Sequence, residues 1–377
     1  MSQTVYEILF FAAIVAVILV HEAGHFAAAK AFKMKVEEFF VGFGPRLWSF
    51  RRGETEYGVK LVPAGGYVRI AGMNPFQPPP TEDRGRTYAD KPPWQRATVI
   101  LAGPVTHFLI AILTLAAVFV FFGTPRYSPY PEVMSVSPTL NGQISPAKAA
   151  GLRPGDLIVS VDGRPVRSSN AVVAVTKDDA GRALSLGYRR DGELRVTTVT
   201  PVAVTVDGKQ IGRIGVEIGG KVLGYERTNP FVGVARGVAL TWDISKAVIA
   251  RLGDVFGPAG IHRIGELLAG APRKTTDVGS IVGTARLAGE AAQAHQWSDL
   301  LLLFATVNVF VGILNLLPVL PFDGGHLAVA VWEKVTRRRV DTRRLVPVAA
   351  IVFGFLMLVS VSVLYLDIVN PIPNPFH

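Results

Sequence analysis

Residues 8–32 form an apolar run long enough to cross a bilayer, and His21-Glu22-Ala23-Gly24-His25 sits in its second half. That combination constrains the chain more than any other feature. Ionisable side chains near a bilayer interior cost roughly 2.5–3.5 kcal/mol each on insertion scales, so three in five residues point to chemistry. On a helix, positions i and i+4 share a face, and the two imidazoles can grip one metal ion. Glu22 lies within a turn of both and can handle a proton on water. The spacing is the H-E-x-x-H pattern of helical zinc sites. Residues 1–7 carry no Lys or Arg, and the apolar run continues past the motif to Phe26-Ala27-Ala28-Ala29. A spanning helix is therefore expected here rather than a cleaved signal peptide.

Three further segments are apolar enough to span, at residues 97–122, 300–317 and 345–366. The third span is the least greasy, with Asn308 and Asn315 inside it. Nearly half of the 377 residues are hydrophobic, as expected of a multi-pass α-helical membrane protein of about four helices. The net charge of +10 would suit nucleic acid or a membrane surface, but no aromatic-basic nucleic-acid motif accompanies it. The basic residues concentrate in two connectors, 33–96 and 327–344, whereas the tail at 367–377 has none. The positive-inside rule then places both connectors in the cytoplasm and both termini outside. The absence of cysteine excludes disulfides and thiolate metal ligands.

Below the motif helix, residues 34–96 read as a small β-meander followed by a Pro-rich loop. Strands are expected at 55–62 and 66–70. Residues 124–205 read as one compact α+β domain: β-branched runs alternate with Asp162-Gly163 and Asp191-Gly192 turns, and a short helix begins at Pro146. Residues 206–298 are expected to supply one or two amphipathic helices, over 232–268, lying on the outer membrane surface or on the compact domain. Residues 299–326 form the third membrane segment, and 345–377 the fourth helix and tail.

Two histidines do not complete a catalytic zinc site, which usually takes three protein ligands and keeps a position for water. Asp323 is the best candidate, at the cytoplasmic end of the third span and so at the depth of His21 and His25. Gly324 and Gly325 let the backbone come close, and Pro318 and Pro321 break the helix before it. His326 is the competing ligand.

With these residues in view, the chain resembles the site-2 protease family of intramembrane zinc metalloproteases, in its bacterial RseP-like branch. His21-Glu22-Ala23-Gly24-His25 matches the first motif, and Asn315-x-x-Pro318 with Asp323-Gly324-Gly325 the second. Ala102-Gly103-Pro104 opens the second span as in relatives. Val41-Gly42-Phe43-Gly44-Pro45 and Gly65-Gly66-Tyr67-Val68 match a membrane-associated β-loop, and Gly151-Leu152-Arg153-Pro154-Gly155-Asp156 resembles a bacterial PDZ signature. His107 departs from the family pattern, in which Asn is common. A packing role, hydrogen-bonded inside the membrane, is expected for it rather than a fourth ligand.

The resemblance implies a Zn²⁺ endopeptidase with ligands His21, His25 and Asp323 and with Glu22 as the acid–base. It implies substrate contacts at Asn315 and Pro318 and along the strand edge Gly66, Tyr67, Val68 and Arg69. It also implies one extracytoplasmic PDZ-like domain gating by size, and single-pass membrane substrates already trimmed by another protease, of the anti-sigma-factor or remnant-signal-peptide type. Two rival readings are a catalytically dead membrane scaffold presenting a PDZ domain and a metal-dependent transporter or sensor. Intact Glu22 and Asp323 oppose the first; few intramembrane charges and no evident inverted repeat oppose the second.

Overall fold

The computed structural model describes residues 1–74, 76, 81–206, 209–274 and 276–374. The chain divides into two compact units, residues 122–227 and the remainder.

The larger unit begins with α1 (Gln3–Ala31), then β1 (Val36–Arg52), β2 (Thr55–Ile70) and α2 (Pro93–Ala117). β1 and β2 pair antiparallel and double back on each other: Phe39 faces both Tyr57 and Val68, and Phe40 both Gly58 and Tyr67. The result is a sheet in which residues 66–70 form an edge. Gly42 permits the fold-back, with φ of +85° and a backbone packed so closely that a Cβ would meet the Val62 carbonyl at 2.6 Å. The sheet anchors against α1 and α2 through a core of Ala29, Met34, Val36, Ile70, Val99 and Ile100.

The smaller unit runs β3 (Thr124–Val136), β4 (Thr139–Leu140), β5 (Gln143–Ile144), α3 (Pro146–Ala149), β6 (Leu157–Val161), β7 (Arg164–Pro165), α4 (Ser169–Asp178), β8 (Leu184–Arg190), β9 (Glu193–Val199), β10 (Val202–Val206), β11 (Lys209–Arg213) and β12 (Val216–Glu226). Its main sheet has the order β12-β3-β6-β8-β9, with β7 beside β6. Asn141-Gly142, Asp162-Gly163 and Asp191-Gly192 all have positive φ at both residues and close two-residue hairpins. Type I′ turns require that backbone, and Asn-Gly and Asp-Gly supply it most readily. Ser145 and Ser168 cap α3 and α4 by accepting backbone N–H groups. Val133, Ile158, Val161, Val172, Leu184 and Leu186 form the core.

This unit extends beyond the expected limit at residue 205. β12 returns to pair along β3 from Val216↔Val136 to Glu226↔Thr124, which ties residues 209–227 to it rather than to the helices that follow.

The chain continues in the larger unit with α5 (Pro230–Phe256), α6 (Pro258–Leu268), α7 (Ile281–Gln293), α8 (Trp297–Asn315), α9 (Asp323–Thr336) and α10 (Val346–Val369). Among the described residues, four helices are long and apolar enough to cross a membrane: α1, α2 with its extension to Phe122, α8, and α10 with its preceding turn. They correspond to the four expected spans. The helices over 232–268 differ from expectation. Rather than lying on a surface, α5 packs along α2 and α8, with Leu240, Ile244, Val248 and Leu252 against Ala111, Leu115, Ala305 and Val309. Gly233, Gly237, Thr241 and Ser245 form its buried stripe, and a Cβ on Gly237 would meet the Ile112 carbonyl at 2.7 Å. Small residues at every fourth position let two backbones approach closely. The flank beside that stripe carries exposed Val234, Val238, Trp242 and Ile249, so the helix keeps apolar surface beyond its packed side. The end of α10 is tied down by Asp367, which pairs with buried Arg273 at 2.8 Å and accepts the Ser280 N–H.

The 122–227 unit has its own core and a buried ion pair, in which Asp156 meets Arg190 through two 2.7 Å hydrogen bonds and also accepts the Arg153 N–H. Expressed alone, residues 122–227 should unfold cooperatively in urea. Asp156→Ala should lower its stability by about 3 kcal/mol, because the guanidinium is left without its partner. Circular dichroism melts of the two fragments measure the difference.

Candidate active site

The motif forms one face of α1 where it crosses α2. Gly24 packs there against the Ala102 carbonyl, and Gly103 lies directly over the imidazoles. A Cβ at Gly103 would sit 2.2 Å from His25 Nε2 and 2.9 Å from His21 Cε1, so only glycine admits both rings. His25 Nδ1 donates to the Val99 carbonyl at 2.8 Å, which leaves Nε2 with a free lone pair facing inward. His21 and His25 are both buried, and their Nε2 atoms lie 3.1 Å apart.

Asp323 arrives from the other side as the first residue of α9. The chain between α8 and α9 folds so tightly that a Cβ on Gly324 would meet the Leu316 and Leu317 carbonyls at 2.3 Å, and one on Gly325 the Leu320 nitrogen at 2.5 Å. These glycines bring Asp323 Oδ2 to 3.2 Å from both His21 Nε2 and His25 Nε2. Three donors separated by 3.1–3.2 Å fit three corners of a tetrahedron whose centre lies about 1.9–2.0 Å from each. That is close to the zinc–ligand distance for imidazole and carboxylate. The three residues form a group able to hold a metal ion among the described residues. His326 is not part of it: it lines a groove against β2 instead.

Glu22 lies beside the cluster and faces β2. Its side chain packs near Gly66, beside the Val68 backbone. Of the strand-edge residues, Tyr67, Val68 and Arg69 line a groove of about 400 Å³ with Met73, His326 and Val346. Tyr67 is held by its hydroxyl donating to Glu38 and by stacking on Phe40, and Arg69 pairs with Glu37 and Glu38. Asn315 ends α8, half-buried. Pro318 lines a separate apolar cavity beside α9.

His107 is buried against the cluster. Its ring lies 5.0 Å from that of His21, and its Nδ1 is 3.3 Å from Asn308 Oδ1. Asn308 in turn donates to the Phe304 carbonyl. The polar Asn308, read from sequence only as a weakness of the third span, is thus the partner of the unusual histidine. The Val99 carbonyl and the Gly103 cradle were also missed, although the Gly-Pro pair of the second span marked the place.

The chain is 32% identical to zinc metalloprotease Rip1 of Mycobacterium tuberculosis, over 97% of each chain. It is 32% identical to metalloprotease MmpA of Caulobacter vibrioides, over 85% of each. Among solved structures, the PDZ domain of the SdrC-like protein of Listeria monocytogenes matches 25% of this chain and 93% of its own, with 22% identity and a TM-score of 0.21. The profile of peptidase family M50 matches residues 9–359, a span that takes in both the α1 motif and the Asp323 turn. The chain belongs to peptidase family M50.

Proposed function

We propose that this intramembrane zinc metalloprotease holds its ion on His21, His25 and Asp323 and uses Glu22 as general base and acid. The observation that carries this reading is the convergence of the three side chains from α1 and α9 on one point, with Glu22 adjacent. Bound there, zinc supplies Lewis-acid polarisation of a scissile carbonyl and lowers the pKa of the attacking water. Glu22 takes the proton of that water and returns it to the leaving amine. The Val99 carbonyl fixes the tautomer and aim of His25.

A transmembrane helix hides its peptide bonds in i→i−4 hydrogen bonds, so a substrate must unwind before cleavage. The edge at residues 66–70 offers strand addition, with the groove beside Tyr67 and Val68 receiving alternate side chains. Gly66 of this edge lies beside the Glu22 side chain, so contacts here bear on the base as well as on the substrate. Asn315 is proposed to hold the extended backbone, with Pro318 ending the helix beside it. Substrates are single-pass membrane proteins trimmed beforehand, of the anti-sigma-factor or remnant-signal-peptide type. The 122–227 unit is read as a PDZ-like domain outside the membrane that admits only trimmed substrates. Basic residues in the connectors after α1 and after α8 support a cytoplasmic position for both, with the two termini outside.

Glu22→Gln should keep its zinc and lose about 10²–10⁴-fold in cleavage of a model transmembrane peptide, because the amide cannot accept the proton. Metal analysis alongside a cleavage assay reads both; substantial turnover would remove Glu22 from the mechanism. Asp162→Cys should react with an impermeant maleimide in intact spheroplasts, whereas Arg338→Cys should react only after lysis. Both can be read directly because the chain has no other cysteine. The reverse pattern would overturn the proposed orientation.

A further inference from the structure

Two cavities meet at α9, outside the metal cluster. One, of about 210 Å³, is polar: Arg96, Arg339, Tyr88, Glu333 and Thr342 line it, between the start of α2, the loop at residues 72–73 and the basic connector. The other, of about 380 Å³, is lined only by apolar side chains and glycine, among them Val319, Leu320, Ala328, Trp332 and Val348. Val329 and Val340 belong to the walls of both, so the polar and apolar chambers adjoin.

The polar chamber has more positive charge than its own acid can balance. Arg96 pairs with Glu333 and lies over the Tyr88 ring, and its buried Nε has no hydrogen-bond partner among the described residues. The other Glu333 oxygen is occupied by the Val340 N–H. Arg339 adds a second guanidinium, and Arg337, Arg338, Arg343 and Arg344 lie on the same connector. A basic chamber adjoining an apolar one, beside the start of a membrane-spanning helix, matches one ligand chemistry: an anionic headgroup carrying a hydrocarbon chain. The apolar volume lies in the range of ligand-sized cavities.

We propose that these joined cavities form a site for one phospholipid with an anionic phosphodiester headgroup. Arg96 and Arg339 take the phosphate, and an acyl chain lies along α9 past Trp332 toward Val348. The occupant braces α9, the helix that begins with Asp323, against the start of α10. The proposal rests on membrane embedding and not on the catalytic roles given above.

Brominated acyl chains quench indole fluorescence on contact, and Trp332 is the reporter. Full-length protein in phosphatidylcholine nanodiscs is titrated with brominated phosphatidylglycerol and, separately, with brominated phosphatidylcholine. Above the quenching common to both lipids at the four other tryptophans, the expected result is a saturable component seen with the anionic lipid alone and lost in Trp332→Phe. Arg339→Gln should raise the half-saturating lipid fraction about fivefold. Both side chains are exposed, so neither substitution removes a core contact. Retention of phosphatidylglycerol by wild type but not by Arg339→Gln in native mass spectrometry would be an independent confirmation. Equal quenching by the two lipids would overturn the proposal, as would insensitivity to Arg339→Gln. Full displacement of the brominated lipid by inorganic phosphate would make this a free-anion site, and displacement by an acidic peptide a site for protein carboxylates; either result would overturn the lipid reading.

Discussion

The seating of two imidazoles against the backbone of α2 is the contact on which the rest of the active-site geometry depends. His25 donates to the Val99 carbonyl, and Gly103 leaves the space that both rings fill. A buried imidazole without a fixed tautomer would present either nitrogen, whereas one tied by Nδ1 to a carbonyl presents Nε2 alone. Once α1 and α2 are locked at Gly24 and Gly103, only the third donor remains to be supplied. It arrives on a turn whose two glycines admit the chain between α8 and α9 at backbone contact distance. Chemistry in an apolar setting thus relies on close backbone approach, and glycine is what makes that approach possible.

The β-hairpin sheet gives the same site its second wall. Doubling back at Gly42 exposes residues 66–70 as an edge and sets Gly66 beside the Glu22 side chain. The base and the edge proposed to receive substrate are therefore coupled. A substrate strand docking beside Val68 would lie next to the carboxylate proposed to act on water, so the proposed recognition and proton transfer would share one segment. The groove behind that edge is closed by His326, which keeps this histidine on the recognition side of α9 rather than on the metal side.

Much of this was legible in the sequence, and the reasons differ by element. The His21–His25 spacing is a local helical property, so it reads directly. Asp323 was reachable because its depth and its glycine turn are also local. The Asp-Gly hairpins read correctly because two positive-φ residues leave few alternatives. What could not be read was long-range: His25 with Val99, His107 with Asn308, and β12 with β3 lie about 70 to 200 residues apart in the chain. The place of α5 was misjudged because Asp243, Lys246 and Arg251 dilute its hydropathy. Its spacing of Gly233, Gly237, Thr241 and Ser245 was the better signal, since it marks a helix that packs closely along one side.

Zinc K-edge X-ray absorption on the purified protein tests the central claim most directly, because it counts ligands without requiring turnover. The set His21, His25 and Asp323 predicts two imidazole nitrogens with oxygen completing the shell, all at about 2.0–2.2 Å. Replacing Asp323 by Ala should remove an oxygen and weaken retention of the metal. A wild-type shell of three or more imidazoles, bringing in His107 or His326, would contradict the assignment.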